Sequence, residues 1–124
     1  MSDTLKDMRA SAQDANPLTG LPGNQGIHQA LQDRIHQRQK FVFFHVDIDR
    51  FKLFNDHFGL AKGDLTIEKT AQVLRKAVEE AGISQDFIGH QGGDDFVIIA
   101  RPDHAEKLGN RVCELFNKIV LEAV

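Results

Sequence analysis

Phe87-Ile88-Gly89-His90-Gln91-Gly92-Gly93-Asp94-Asp95-Phe96-Val97-Ile98-Ile99-Ala100 holds two short apolar runs around a centre of glycines and carboxylates. Phe87 to His90 and Phe96 to Ala100 have the composition of strands and the residues between them are turn formers, which predicts an antiparallel hairpin. Upstream, Phe41-Val42-Phe43-Phe44-His45-Val46-Asp47-Ile48 is β-branched and aromatic, too short for a typical free-standing helix, and reads as a buried strand. From Asp49 to Lys62 the pattern predicts a short helix closed by Gly59, then a loop through Gly63. A further helix is expected to begin near Asp64, carry Ile67, Ala71, Leu74 and Val78 on one face, and stop near Gly82. Arg101-Pro102-Asp103 ends the hairpin, and Leu108, Val112, Leu115 and Ile119 mark a last helix. Ahead of all these, residues 16 to 24 are dense in turn formers. Asn24 is placed to cap a helix of about four turns whose apolar face is Ile27, Leu31 and Ile35.

The order helix, strand, helix, hairpin, helix is α+β. Its β-α-β-β-α core is a ferredoxin-like antiparallel sheet with helices on one or both faces and the final strand missing. That strand would lie beside residues 41 to 48, whose open edge would otherwise invite aggregation. The domain is therefore expected to span 16–124 and to be incomplete at its C-terminal end, with residues 1–15 a polar tail or linker from an upstream region.

A length of 124 residues, 41% hydrophobic and 27% charged, fits one globular domain with one core. No apolar run approaches the roughly 20 residues of a spanning helix, and no secretion signal opens the chain, so a cytoplasmic location is expected. The single cysteine, Cys113, excludes an internal disulfide, and its helical context predicts a small buried residue. His28, His36, His57 and His104 show no mutual metal-ligand spacing and read as surface residues. A net charge of −3 offers no broad attraction to nucleic acid, so a phosphate ligand needs a local site, which points to nucleotides.

Asp47 ends the first predicted strand, and a ferredoxin-like sheet sets it beside the hairpin turn with Asp94 and Asp95. Carboxylates converging on a strand edge suit Mg²⁺, a hard ion that takes oxygen ligands and substrate phosphates. Gly92 and Gly93 permit a sharp bend and close approach of a ligand. The same Gly-Gly-Asp-Asp composition is also what hairpin turns favour for conformational reasons alone.

Four ordered motifs resemble the GGDEF family: Asn16-Pro17-Leu18-Thr19-Gly20-Leu21; Asp47-Ile48-Asp49-Arg50-Phe51-Lys52 followed by Asn55-Asp56; Gly63-Asp64; and Gly92-Gly93-Asp94-Asp95-Phe96. The resemblance implies a nucleotidyl-cyclase-like fold that condenses two GTP to cyclic di-GMP in a Mg²⁺-dependent homodimer, with Mn²⁺ as a substitute and other signalling domains attached. By position it implies Asp47, Asp94 and the Ile48 carbonyl as metal ligands, and Asn55 and Asp64 as readers of the guanine edge. Lys52 and the backbone near Arg50 and Phe51 would face the triphosphate, Gly92 and Gly93 would belong to the substrate-binding set, and Asp95 would occupy the second acidic position of the signature. Asp95 replaces the usual glutamate, His90 stands where arginine is common, and Ile83 replaces the arginine of the product-inhibition site whose aspartate is Asp86. These departures, with the missing C-terminal segment, lead us to expect little turnover from the chain alone. They also raise the alternative of a catalytically silent module that binds GTP or a partner.

Overall fold

Val42, Phe44 and Val46 alternate in burial with the exposed Phe43, His45 and Asp47, the period-two signature of a strand with one covered face, β1 (Val42–Asp47). The computed structural model describes residues 14–48 and 51–121, apart from the side chains of residues 52–54, 120 and 121. The helices α1 (Asn24–His36), α2 (Phe51–Phe58), α3 (Leu60–Ala81) and α4 (Ala105–Leu115) accompany β1 and the hairpin strands β2 (Phe87–Gly92) and β3 (Asp95–Ala100). A π-helical turn, Phe116–Leu121, prolongs α4.

The sheet is antiparallel with strand order β1-β3-β2, so β1 stands at its edge as the ferredoxin-like topology requires. Phe96 to Ala100 of the central strand are all buried, which means both faces of β3 are covered. Phe96, Ile98 and Ala100 join Ile67, Ala71, Leu74, Leu108, Val112 and Leu115 in the main core beneath α3 and α4. On the opposite face, Ile27 of α1 lies against Gly89 and close to Val97.

Several sequence expectations are corrected. α3 begins at Leu60, not near Asp64, because Gly59 at φ +92° makes the whole break in one residue, and the Gly63 N–H already donates to the Gly59 carbonyl at 3.1 Å. Asn24 is not the cap of α1. Gly23 holds that position without a side-chain bond, and Asp14 reaches in from outside to accept from the N–H groups of Gly23 (2.8 Å), Gln25 (3.1 Å) and Gly26 (2.8 Å). A carboxylate there satisfies orphan donors and complements the helix dipole. Ile35 is 63% exposed, since α1 turns Ile27 and Ala30 inward and sends Arg34 to the Gln85 carbonyl. Cys113 is exposed: one residue past the buried Val112, it falls about 100° around α4 from the inward face.

His104 is not a surface residue either. Its Nε2 donates to Asp86 at 2.8 Å and its Nδ1 to Asp103 at 3.2 Å, and Asp86 also accepts from the Ile83 N–H at 2.9 Å. The Asp86 side chain is only 1% exposed, so its acceptor sites are spent inside the fold. Burial of His104 alone would lower its pKa. The hydrogen bonds to Asp86 and then Asp103, with their negative charge, outweigh that and hold the imidazolium above the ordinary 6.5.

Because the folded-state pKa of His104 is raised, its stabilisation is fully present below about pH 6.5 and is lost as the pH climbs through the folded value. The melting temperature of the chain relative to its His104→Gln variant should therefore shrink on going from pH 6 towards alkaline pH; a constant difference would refute the linkage. Asp14→Ala should cost about 1–2 kcal/mol in chemical denaturation, with faster amide exchange at Gln25 and Gly26, while Asp14→Asn recovers part of the loss.

Candidate metal centre

The pairing of β1 with β3 carries Asp47 to the position directly opposite Asp95. The β2–β3 connection is a two-residue turn, Gly93-Asp94. Gly93 has φ +51°, as the first central residue of a tight hairpin of the II′ kind requires, while Gly92 at φ +145° pairs with Asp95 and the register shift before it leaves Gln91 as the extra residue of a bulge. One carboxylate oxygen from each of Asp47, Asp94 and Asp95 lies within 4.8 Å of the others.

Like charges facing each other across a ladder oppose pairing. The strain is visible at Asp94, whose carboxyl is raised above its usual 3.8, first by burial, then by a hydrogen bond with Asp47 and the negative charge of Asp47 and Asp95, against a lowering bond from its own backbone. Among the described residues His45 approaches the cluster, with Nε2 3.5 Å from Asp95 Oδ1 and both side chains about half exposed. Three converging carboxylate oxygens have the donor chemistry of a hard divalent cation site.

A second polar feature sits where α2 meets α3. The Asn55 Oδ1 is buried and accepts no hydrogen bond from the described residues. It lies against Gly63, where any Cβ would collide with it. Asp64, next along α3, is exposed.

The other predicted site residues are placed as follows. Ile48 and Phe51 are half-buried against the core. Lys52 belongs to α2, but its side chain lies outside the described set, as do Asp49 and Arg50 entirely. Above Gly92 and Gly93 a Cβ would meet no atom within 4 Å, so space is open over the turn. Two more distinct grooves lie elsewhere, one beside α1 lined by Pro22, Gln29, Arg34 and Phe87, the other beside α4 lined by Glu80, Lys107 and Arg111.

Sequence reasoning treated His90 only as a substitution for arginine. Here it is 2% exposed, with Nδ1 2.9 Å from Thr19 Oγ1 and Nε2 2.8 Å from the Gly93 carbonyl. The one available signal was a polar residue in register with the inward face of a strand; its partners, 71 positions away in one case, left no local trace.

Comparison with known proteins agrees with this arrangement. A family model described as "Diguanylate cyclase, GGDEF domain" matches residues 13–122. Diguanylate cyclase DgcP of Pseudomonas aeruginosa is 35% identical over 99 residues, which cover 77% of this chain and 14% of that protein. A sensory box/GGDEF family protein of Caulobacter crescentus superposes with a TM-score of 0.68 at 28% identity, over 83% of this chain and 69% of that one. Diguanylate cyclase SiaD of Pseudomonas aeruginosa, in complex with its activator SiaC, gives a TM-score of 0.73 over 94% of this chain and 47% of that one; at 22% identity that likeness speaks for the fold alone. Among the described residues no helix is long and apolar enough to cross a membrane. With the family model spanning nearly the whole sequence and the acidic hairpin built as described, the chain belongs to the GGDEF family of diguanylate cyclase domains.

Proposed function

We propose that this chain is the GTP- and metal-binding part of a cytoplasmic diguanylate cyclase. Two copies would face each other, each presenting one GTP, and condense them to cyclic di-GMP. The supporting observation is the convergence of Asp47, Asp94 and Asp95 on one sheet edge. Asp47 and Asp94, with the Ile48 carbonyl, would hold Mg²⁺ or Mn²⁺. When bound, the ion neutralises phosphate charge and stabilises the attacking and departing oxygens.

The remaining roles follow from donor and acceptor chemistry. Guanine presents N1–H and N2–H donors beside acceptors, which a carboxylate and an amide can serve together; Asp64 and the partner-seeking Asn55 have those groups at the α2–α3 junction. Lys52 offers a point charge to the triphosphate, and the open space over Gly92 and Gly93 leaves it room. In each half-reaction the 3′-hydroxyl of one GTP attacks the α-phosphorus of the other. A new P–O bond forms, the bond to pyrophosphate breaks, and the hydroxyl proton is released, with Asp95 at the reacting centre. Repetition of the step closes the ring and yields two pyrophosphates per cyclic di-GMP. One protomer holds half of the reactants, so the dimer is obligatory, and the sensory-box and activator-bound relatives support attached or separate regulators.

A second reading, a silent GTP-binding or partner-binding module, is favoured by Asp95 itself. It is one methylene shorter than glutamate and its carboxylate stands near His45, and small displacements at a reacting centre cost rate steeply.

With GTP and Mg²⁺, the full protein bearing this chain should accumulate cyclic di-GMP, and Asp94→Ala should lower the rate at least about 100-fold. Saturable GTP binding without product would establish the silent module, and absence of both would remove the nucleotide reading. In the metal-free chain, Asp47→Asn should raise stability by roughly 0.5 kcal/mol through relief of cross-strand repulsion. The same variant should abolish the rise in melting temperature that Mg²⁺ or Mn²⁺ gives the unaltered chain; an unchanged metal response would remove Asp47 from the site.

A further inference from the structure

We infer that His90 is a positioning residue for the acidic turn, holding the peptide before Asp94 to the body of the domain, with the loop Asn16–Leu21 bracing the other end of its ring. This inference rests on the metal site proposed above and adds the residue that holds it in place.

The Gly93 carbonyl can only accept, so the ring hydrogen sits on Nε2, and Nδ1 is left to accept from the Thr19 hydroxyl. The imidazole is thus a strut with a fixed tautomer, one end on the peptide immediately before Asp94 and the other on the loop. Its ring cannot swing, because it stacks on Phe96 with centroids 4.2 Å apart and planes 9° from parallel. The backbone of the same residue is pinned as well, His90 N–H donating to the Pro22 carbonyl at 2.8 Å.

The far end of the strut is itself firm. The Asn16 side chain accepts from the N–H groups of Leu18 and Thr19, the loop closes on itself from Asn16 N–H to the Leu21 carbonyl at 2.8 Å, and Arg75 of α3 donates to the Thr19 carbonyl at 2.7 Å. By contrast Gly93 is exposed and its surroundings are open within 4 Å of a would-be Cβ, so packing does not hold the turn. Beyond the pairing of Gly92 with Asp95, the hydrogen bond to the Gly93 carbonyl ties the tip of the turn to the body of the domain and so holds the Asp94 carboxylate relative to Asp47.

A glutamine side chain can place its amide nitrogen where Nε2 sits, whereas an asparagine reaches only as far as Nδ1. His90→Gln keeps the bond to Gly93 and His90→Asn keeps the one to Thr19. In Mn²⁺ titrations of the chain, His90→Gln and Thr19→Val, which both keep the Gly93 bond, should stay within about twofold of the unaltered affinity while His90→Asn loses about tenfold, the size expected when support for a ligand is removed. Equal affinities for the Gln and Asn variants, with only their melting temperatures lowered, would reduce His90 to core filling and overturn the inference. If the unaltered chain binds no Mn²⁺, it is the metal reading that fails. The strut is then judged on the metal-free variants by amide exchange at Gly93 and Asp94: selective loosening in His90→Asn but not His90→Gln upholds it, and equal exchange sinks it.

Discussion

The burial of β3 on both faces is the constraint to which everything else at the sheet edge answers. Side chains alternate along a strand, so a one-residue slip of β1 would carry Phe44 and Val46 out of the core and Phe43 and His45 into it. With that escape closed, Asp47 must stand opposite Asp95, however unfavourable two facing carboxylates are. Hydrophobic packing holds the register, and the register holds the charges together. Function at such a site comes from a local conflict that the rest of the core is strong enough to impose.

The two ends of β2 show how differently one fold treats its carboxylates. Just before the strand, Asp86 is saturated by His104 and the Ile83 N–H and is closed to solvent. At the other end, Asp94 faces Asp47 and Asp95, and burial and those two carboxylates push its carboxyl above the usual range. The first arrangement is a finished structural joint. The second is unfinished, and it is the one that has room for an ion.

Strands and hairpin were legible because β-branched and aromatic runs bounded by Gly and Asp have few other solutions, and the acidic cluster was legible because it sits where those strands end. Features set by a single backbone angle or by distant partners were not. The start of α3 turned on the φ of Gly59, the cap of α1 came from Asp14 outside the helix, and the burial of His104 was decided by Asp86 on another element. Periodicity gave the inward face of α4, Leu108, Val112 and Leu115, but Cys113 lies beside that stripe and is exposed, and in α1 the inward face of Ile27 and Ala30 does not extend to Ile35. The burial of His90 was likewise illegible, since one of its two partners, Thr19, lies 71 positions away.

The sheet order also fixes a sequence of events in time. β2 and β3 are joined by a tight turn and can pair early, whereas β1 reaches β3 only after the intervening chain of α2 and α3 has been gathered in, a closure that is entropically slower. Asp94 and Asp95 therefore come together first and Asp47 arrives last. The electrostatic barrier thus belongs to the docking of an edge strand, and a divalent cation held by the three carboxylates would act as a latch on that final step, felt mainly as slower undocking of β1.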